Sequence, residues 1–369
     1  MAVTRIVITG GPSAGKTTAM SKIQGFFTKL GYSVLFVPET ATELITSGVA
    51  PWRCVSNVAY QLCQMKLQLA KESVYEQGAA ALGAEKVLVV CDRGALDNKA
   101  YMTEAEFREV LDTLGLNEVA LRDRYDAVFH LVTAAKGAEK FYTLENNAAR
   151  TEQVKEAAEL DDRVLAAWTG HSHLRVIDNS TGFEEKLQRV IAEISAFLGE
   201  PEPFEIERKF LIDYPDTALL DSYPTCRRVE IIQTYLRSDS DSELRVRQRG
   251  EAGSYIYTLT EKKRVTDLTR VEVERRLSKD EYLDRLMDAD TDMRQIRKTR
   301  YCLTYENQYF EIDIYPFWKD SAIMEIELRT EDQALSFPDF IKLRREVTDD
   351  GRYKNHSLAS ASDLAALDA

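Results

Sequence analysis

A chain of 369 residues, 44% hydrophobic and 30% charged, has room for two domains with separate cores and the composition of an ordinary soluble globular protein. A formal net charge of −13 argues against non-specific nucleic-acid binding, which needs a basic face, but not against a basic pocket for a small polyanion. The five scattered cysteines imply no disulfide framework and, with no apolar run of membrane-spanning length, point to the cytoplasm; none of the four histidines stands in zinc-ligand spacing.

Residues 5–9 are β-branched, bounded by glycine, and predict a buried parallel strand. Gly10-Gly11-Pro12-Ser13-Ala14-Gly15-Lys16-Thr17 follows and fits G-x-x-x-x-G-K-[ST], with a helix predicted behind it from Thr18 to residue 30. In such a loop the backbone N–H groups wrap phosphate oxygens at a helix N-terminus. Gly10 to Thr18 are therefore the predicted ATP-binding segment, Lys16 reaching the β- and γ-phosphates and Thr17 ligating Mg²⁺. A second strand, 33–37, ends in Pro38-Glu39-Thr40, which sets a carboxylate in the ligand crevice of a parallel sheet. Capping the next helix is the competing role for Glu39. A long helix over 55–77 carries Gln61 and Gln64, and a third strand, 86–91, ends in Asp92-Arg93-Gly94, with Asp97 and Tyr101 close behind. Asp92, at that strand's tip, is placed to hold Mg²⁺ through water. Strands over 127–132 and 174–178 complete the sheet, and a helix over 183–198 closes a domain spanning 1–199. Between those strands, the polar segment 135–159 has the character of a lid, with Arg150 either a phosphate clamp or part of a solvated helix face.

Residues 1–198 resemble P-loop kinases, particularly nucleoside and ribosylnicotinamide kinase-like proteins, and the related AAA-type ATPase domains. The resemblance implies that Glu39 acts as general base on an acceptor hydroxyl, that Asp92 and Arg93 serve metal and phosphate, and that Gln61 reads a base. Asp92-Arg93-Gly94 stands where those kinases usually carry Glu-Arg-Ser, which leaves the acceptor open, along with the choice between kinase and plain ATPase.

Gly199-Glu200-Pro201-Glu202-Pro203 ends the last helix and marks the domain boundary. From Phe204 the pattern alternates. Eight strands are predicted, over 205–212, 229–237, 243–249, 255–262, 269–277, 296–305, 308–315 and 322–330. Their charges fall on alternate positions: Glu205, Glu207 and Lys209; Arg245 and Arg247; Glu272 and Glu274; Lys298 and Arg300; Glu311 and Asp313; Glu325 and Glu327. Side chains two apart share a face. Ladders exposed to water normally intersperse signs, because adjacent like charges repel. Segregated acid and base pairs make sense if metal ions neutralise the acids and phosphates the bases. The expected fold is thus an α/β P-loop NTPase with a parallel sheet, followed by an α+β eight-stranded antiparallel β-barrel with its charges inside. A sandwich with its charges in water is the other arrangement the alternation allows.

This half resembles the CYTH family, the triphosphate tunnel metalloenzymes, over residues 204–360. The family's Glu-x-Glu-x-Lys stands as Glu205, Glu207 and Lys209, and its closing element as residues 345–355. The resemblance implies that Glu205, Glu207, Asp313, Glu325 and Glu327 hold Mg²⁺ or Mn²⁺, with Glu205, Glu207 and Lys209 catalytic. Lys209, Arg245, Arg247, Lys262, Lys298 and Arg300 would bind the triphosphate, and Glu272 and Glu274 either join the acids or fix the bases. Hydrolysis of inorganic, organic or nucleoside triphosphates, RNA 5′-triphosphate ends included, is the implied activity. Adenylate cyclase chemistry and a P-loop nucleotide switch acting on a polyphosphate-binding tunnel are the alternatives. Small nucleotides and triphosphates are the expected partners, with no membrane.

Overall fold

The computed structural model describes residues 2–139, 148–200, 206–238, 242–264, 270–328 and 333–360; for 2, 148–153, 206, 242, 262–264 and 270–273 it describes the backbone alone. The chain divides into two units, residues 1–205 and 206–369.

Strands β1 (Ala2–Thr9), β2 (Ser33–Val37), β3 (Lys86–Asp92), β4 (Ala127–Leu131) and β5 (Leu174–Ile177) of the first unit form a five-stranded sheet in the order β2-β3-β1-β4-β5, and every pairing is parallel. Val87 to Cys91 and all of β4 are buried, as expected for strands covered on both faces. Ile6, Ile8, Leu88, Val90, Phe129 and Leu131 form one core with Ile23 and Phe27 of α1 (Lys16–Lys29) and Leu187, Val190 and Ile194 of α7 (Phe183–Leu198). Each such side chain contributes roughly 1.5–3 kcal/mol by leaving water. The remaining helices are α2 (Thr40–Thr46), α3 (Asn57–Ala81), α4 (Glu104–Leu114), α5 (Glu118–Arg122) and α6 (Ala148–Trp168). Central β1 lies between β3 and β4, so the loops after these three strands meet at the carboxyl edge of the sheet, where ligands bind in open α/β folds.

In the second unit β6 (Ile206–Asp213), β7 (Cys226–Leu236), β8 (Ser242–Glu251), β9 (Ser254–Arg264), β10 (Arg270–Leu277), β11 (Ile296–Tyr305), β12 (Gln308–Ile314), β13 (Ser321–Leu328) and β14 (Leu343–Glu346) make one antiparallel sheet. Its order is β10-β9-β8-β7-β11-β12-β13-β6-β14. Among the described residues the sheet therefore has nine strands, not the eight expected. The ninth, β14, is four residues long and exposed throughout, so no hydrophobic alternation announces it. It joins the edge of β6, where Arg208 donates to both carboxylate oxygens of Glu346 at 2.8 and 2.6 Å. Ala252-Gly253 and Glu306-Asn307, all four at positive φ, form two-residue hairpin loops that fix the β8–β9 and β11–β12 registers.

The strands around β6 and β11–β13 bury both faces. One is apolar and carries Phe210, Ile212, Leu303, Phe310, Ile312, Met324 and Ile326, packed with Leu220 of α8 (Thr217–Ser222) and with Phe337, Phe340 and Ile341. The other carries the alternate positions. At one end of it Leu211, Ile296, Tyr315 and Ile323 pack with Val347, Tyr353 and Leu358 of the closing segment. Beyond that plug the same face presents acids and bases.

Candidate functional site

In the first unit the loop between β1 and α1 is fixed by contacts that leave no room for side chains. Gly10 has φ 134°, and a Cβ there would stand 1.9 Å from the Leu131 carbonyl oxygen; at Gly15, φ 90°, it would stand 2.7 Å from the Phe183 ring. Gly10→Ala is expected to destabilise the domain by at least the ~1–3 kcal/mol of a strained backbone, lowering the thermal midpoint in scanning calorimetry. Lys16 Nζ folds onto its own loop, donating to the Gly10 and Gly11 carbonyls at 3.0 Å each. Burial, and then Arg93, lower its pKa to about 8, a cost that a phosphate group would relieve. Thr17 and Thr18 are exposed on the first turn of α1.

Opposite that lysine stand the groups expected after β2 and β3. Asp92 Oδ1 is buried without a hydrogen-bond partner, and burial followed by the nearby Glu39 raises its pKa to about 6. An orphaned carboxylate oxygen beside a phosphate loop suits a hydrated divalent ion. Glu39 is the N-cap residue of α2, yet its carboxylate makes no cap bond to the backbone. It accepts instead from Arg93 Nε and Thr42 Oγ1, each at 2.5 Å. Burial opposes its ionisation, but Arg93 and Thr42 outweigh burial and lower its pKa, which makes it a weak proton acceptor as it stands. Asp97 holds the turn after β3: it accepts from Gly94 N at 2.8 Å and Trp168 Nε1 at 3.2 Å, and from the Thr9 hydroxyl. On α3, Tyr60 and Gln61 are each 3% exposed, and Tyr60 Oη and Gln61 Oε1 have no partner. Gln64 instead donates to Asn98. The side chain of Arg150, on α6, lies outside the described residues.

In the second unit the charged face is buried where its charges pair. Asp313 is fully enclosed, and Lys298 and Glu325 are 6% exposed. Arg300 donates to Asp313 through Nε at 2.7 Å and Nη2 at 2.6 Å, to Glu325 at 3.0 Å, and to Glu311. Lys298 also donates to Asp313. Lys209 joins Glu207 at 3.0 Å to Glu325 at 2.5 Å. Both Asp313 oxygens are thus taken by bases, an environment unlike the one expected of a metal ligand. Burial would raise its pKa, but Arg300 and Lys298 hold it far below the usual carboxylate range.

Glu207, which Lys209 also holds, and Glu327 stand directly opposite each other on β6 and β13, two like charges across one ladder. Burial and then Glu325 raise the pKa of Glu207 to about 7. Glu327 is exposed, at the rim. Among the described residues no three His, Cys, Asp or Glu side chains form a ready cage; Glu205, next to this pair in sequence, lies outside the described residues. The acids present are oxygen donors, which suit Mg²⁺ or Mn²⁺.

The far strands carry two arginines, Arg245 with Glu243 at 3.7 Å. Arg245 and Arg247 face Thr260 and Thr258 across the β8–β9 ladder. Arg247 Nε is buried without a hydrogen-bond partner, and the nearest carboxylate it is paired with, Glu274, is 3.9 Å away. Glu274 accepts from Thr260 Oγ1 at 3.1 Å. Of Lys262 and Glu272 only the backbone is described; they pair directly across β9 and β10. Asp161 and its contacts with the phosphate loop gave no sequence signal, being 150 positions from Gly11.

Fold and site together define a class of protein: a P-loop NTPase-like α/β domain followed by an antiparallel sheet with a face that pairs acids with bases. Residues 5–186 match the AAA domain family model AAA_28, and residues 203–355 match the CYTH domain model. An inorganic triphosphatase of Nitrosomonas europaea is 35% identical over 159 residues, 42% of this chain and 96% of that protein. The chain belongs to the CYTH family through its second half, with an AAA domain ahead of it. Among solved structures, one of an inorganic triphosphatase is 32% identical and covers 43% of this chain and 95% of that one, with a TM-score of 0.32. A Pyrococcus horikoshii protein, 21% identical, covers 35% and 81% with a TM-score of 0.26. Among the described residues no helix is long and apolar enough to cross a membrane.

Proposed function

We propose that the CYTH half hydrolyses triphosphate compounds, inorganic triphosphate foremost, with Mg²⁺ or Mn²⁺, and that the AAA half binds ATP at the Gly10–Thr18 loop. The observation that carries this reading is the division of the charged face. Glu207 and Glu327 oppose each other across β6 and β13, Arg245 and Arg247 stand two apart on β8, and the balanced Lys209–Glu325–Arg300–Asp313 cluster lies on β6 and β11–β13. A polyanion with its counter-cation suits both pairs. Closure of the nine strands into a barrel around that face is part of the proposal. So is the cytoplasmic setting, which five free thiols suit.

Glu205, Glu207 and Glu327 would hold the ion, which when bound supplies charge neutralisation at the phosphoryl oxygens, while Glu325, like Asp313, stays with its bases. Arg245, Arg247 and Lys262 would hold the phosphate chain, and Lys298 and Arg300 would meet it while anchored by Asp313. Lys209, held between Glu207 and Glu325, would stabilise charge on the transferred group. Glu207, whose burial favours the proton, would accept one from the attacking water.

Phosphate release from tripolyphosphate, measured in the full chain with Mg²⁺ or Mn²⁺, tests the assignment. It is expected to survive Lys16→Ala, to fall at least a hundredfold in Glu207→Gln, and to stop in EDTA. Loss in Lys16→Ala alone would move hydrolysis to the AAA half, and cyclic AMP from ATP would make the tunnel a cyclase. For the AAA half, the orphaned Tyr60 Oη and Gln61 Oε1 favour phosphoryl transfer to a small polar acceptor over a bare switch. Labelled ATP with a panel of nucleosides and related small molecules separates the two.

A further inference from the structure

Asp161 lies on α6, has no exposure, and sends its carboxylate under the start of the phosphate loop. Its Oδ1 accepts from Gly11 N at 2.7 Å and Thr133 N at 3.3 Å; its Oδ2 accepts from Lys136 Nζ at 3.0 Å; His130 Nε2 lies 3.2 Å from Oδ1. A Cβ on Gly11 would lie 2.9 Å from Asp161 Cβ, so the two backbones approach as closely as a glycine allows. Thr133 Oγ1 in turn donates to the Pro12 carbonyl. A buried carboxylate accepting a backbone N–H forms one of the stronger hydrogen bonds available. The Gly11 amide is thereby committed to Asp161. The same helix reaches the loop after β3, where Arg163 Nε donates to the Ala100 carbonyl at 3.0 Å and Trp168 Nε1 to Asp97 at 3.2 Å.

We propose that Asp161 is a positioning residue for nucleotide binding: by accepting the Gly11 N–H it sets the conformation of the phosphate loop and ties that loop to α6. The inference rests on the nucleotide reading of the Gly10–Thr18 loop. Burial works against the ionised carboxylate, but His130 and Lys136, with the Gly11 hydrogen bond, hold its pKa far below the usual range, so Asp161 is an anion at neutral pH.

The test is calorimetric titration of the full chain with Mg·ATP, alongside hydrogen exchange. Asp161→Ala is expected to weaken binding at least tenfold. Asp161→Asn, which keeps an acceptor oxygen for Gly11, is expected to stay within about threefold of the parent. Lys136→Met, which leaves the Gly11 contact in place, is expected to do likewise. In Asp161→Ala, amide exchange should quicken in residues 10–16 while β3 keeps its protection. Unchanged affinity in Asp161→Ala would overturn the proposal, as would Asn behaving like Ala, which would make the role one of net charge. Exchange quickening equally through β3 would reduce Asp161 to general stability and overturn it too. Failure of the parent chain to bind Mg·ATP would remove the nucleotide reading and this inference together; binding by the parent with no difference among variants removes the inference alone.

Discussion

Arg300→Ala is expected to destabilise the CYTH domain by about 3–5 kcal/mol, the usual consequence of removing one partner from a buried ion pair. The guanidinium is the hub of the charged face, reaching Asp313 with two nitrogens and touching Glu325 and Glu311. Without it, among the described residues, Asp313, fully enclosed, keeps only Lys298 and Glu325 only Lys209. Truncation also leaves a void the length of the side chain, which strands packed on both faces cannot collapse to fill. Arg300→Lys retains the charge but not the planar fork, so it should recover part of the loss. Denaturant unfolding of the full chain, followed by a probe sensitive to Trp318 in the core of this unit, measures the effect. A shift below about 1 kcal/mol would mean that the pairs behave as surface salt bridges and that the face is open to water.

Several of these features were legible in the sequence because their signals are local. The glycine spacing of residues 10–17 dictates a loop whatever follows, and period-two alternation places Glu207 with Lys209, and Lys298 with Arg300, on shared faces. What alternation cannot read is the partner across the ladder. That Glu207 faces Glu327, whereas Asp313 faces Arg300, depends on register between strands far apart in the chain. Yet that register separates an acid facing another acid from an acid facing a base. Asp97 illustrates the same limit. Its place just after Asp92-Arg93 suggests chemistry, but its oxygens are taken by Thr9, Gly94, Arg93 and Trp168, making it a structural pin. Conversely Asp161 stands within an unremarkable polar helix, and only the fold brings it to Gly11. β14 escaped for a third reason: an exposed four-residue edge strand has no buried face to impose a pattern.

Arg247→Ala should behave in the opposite way to Arg300→Ala, leaving stability near that of the parent and striking substrate binding. Its guanidinium has Glu274 only at 3.9 Å, its Nε is buried without a partner, and burial together with neighbouring Arg245 lowers its pKa. A cation so placed is unfavourable until an anion arrives, so its removal relieves strain in the empty protein and costs the complex. A hydrogen bond to a charged group is worth about 1.5–3 kcal/mol, which corresponds to a rise of roughly ten- to a hundredfold in KM for tripolyphosphate. If, as proposed, the contact is made to the phosphate chain before and during attack, KM should move more than kcat. Arg247→Lys, a point charge without the fork, should fall between the two. Initial-rate kinetics on tripolyphosphate, paired with thermal melting of the same preparations, decide the matter. A variant that melts early but hydrolyses at the parental KM would make Arg247 a structural group and transfer the phosphate contact to Arg245 and Lys262. The contrast between the two arginines tests the central physical idea, because equal charges on one buried face differ in role only through which of them already has its anion.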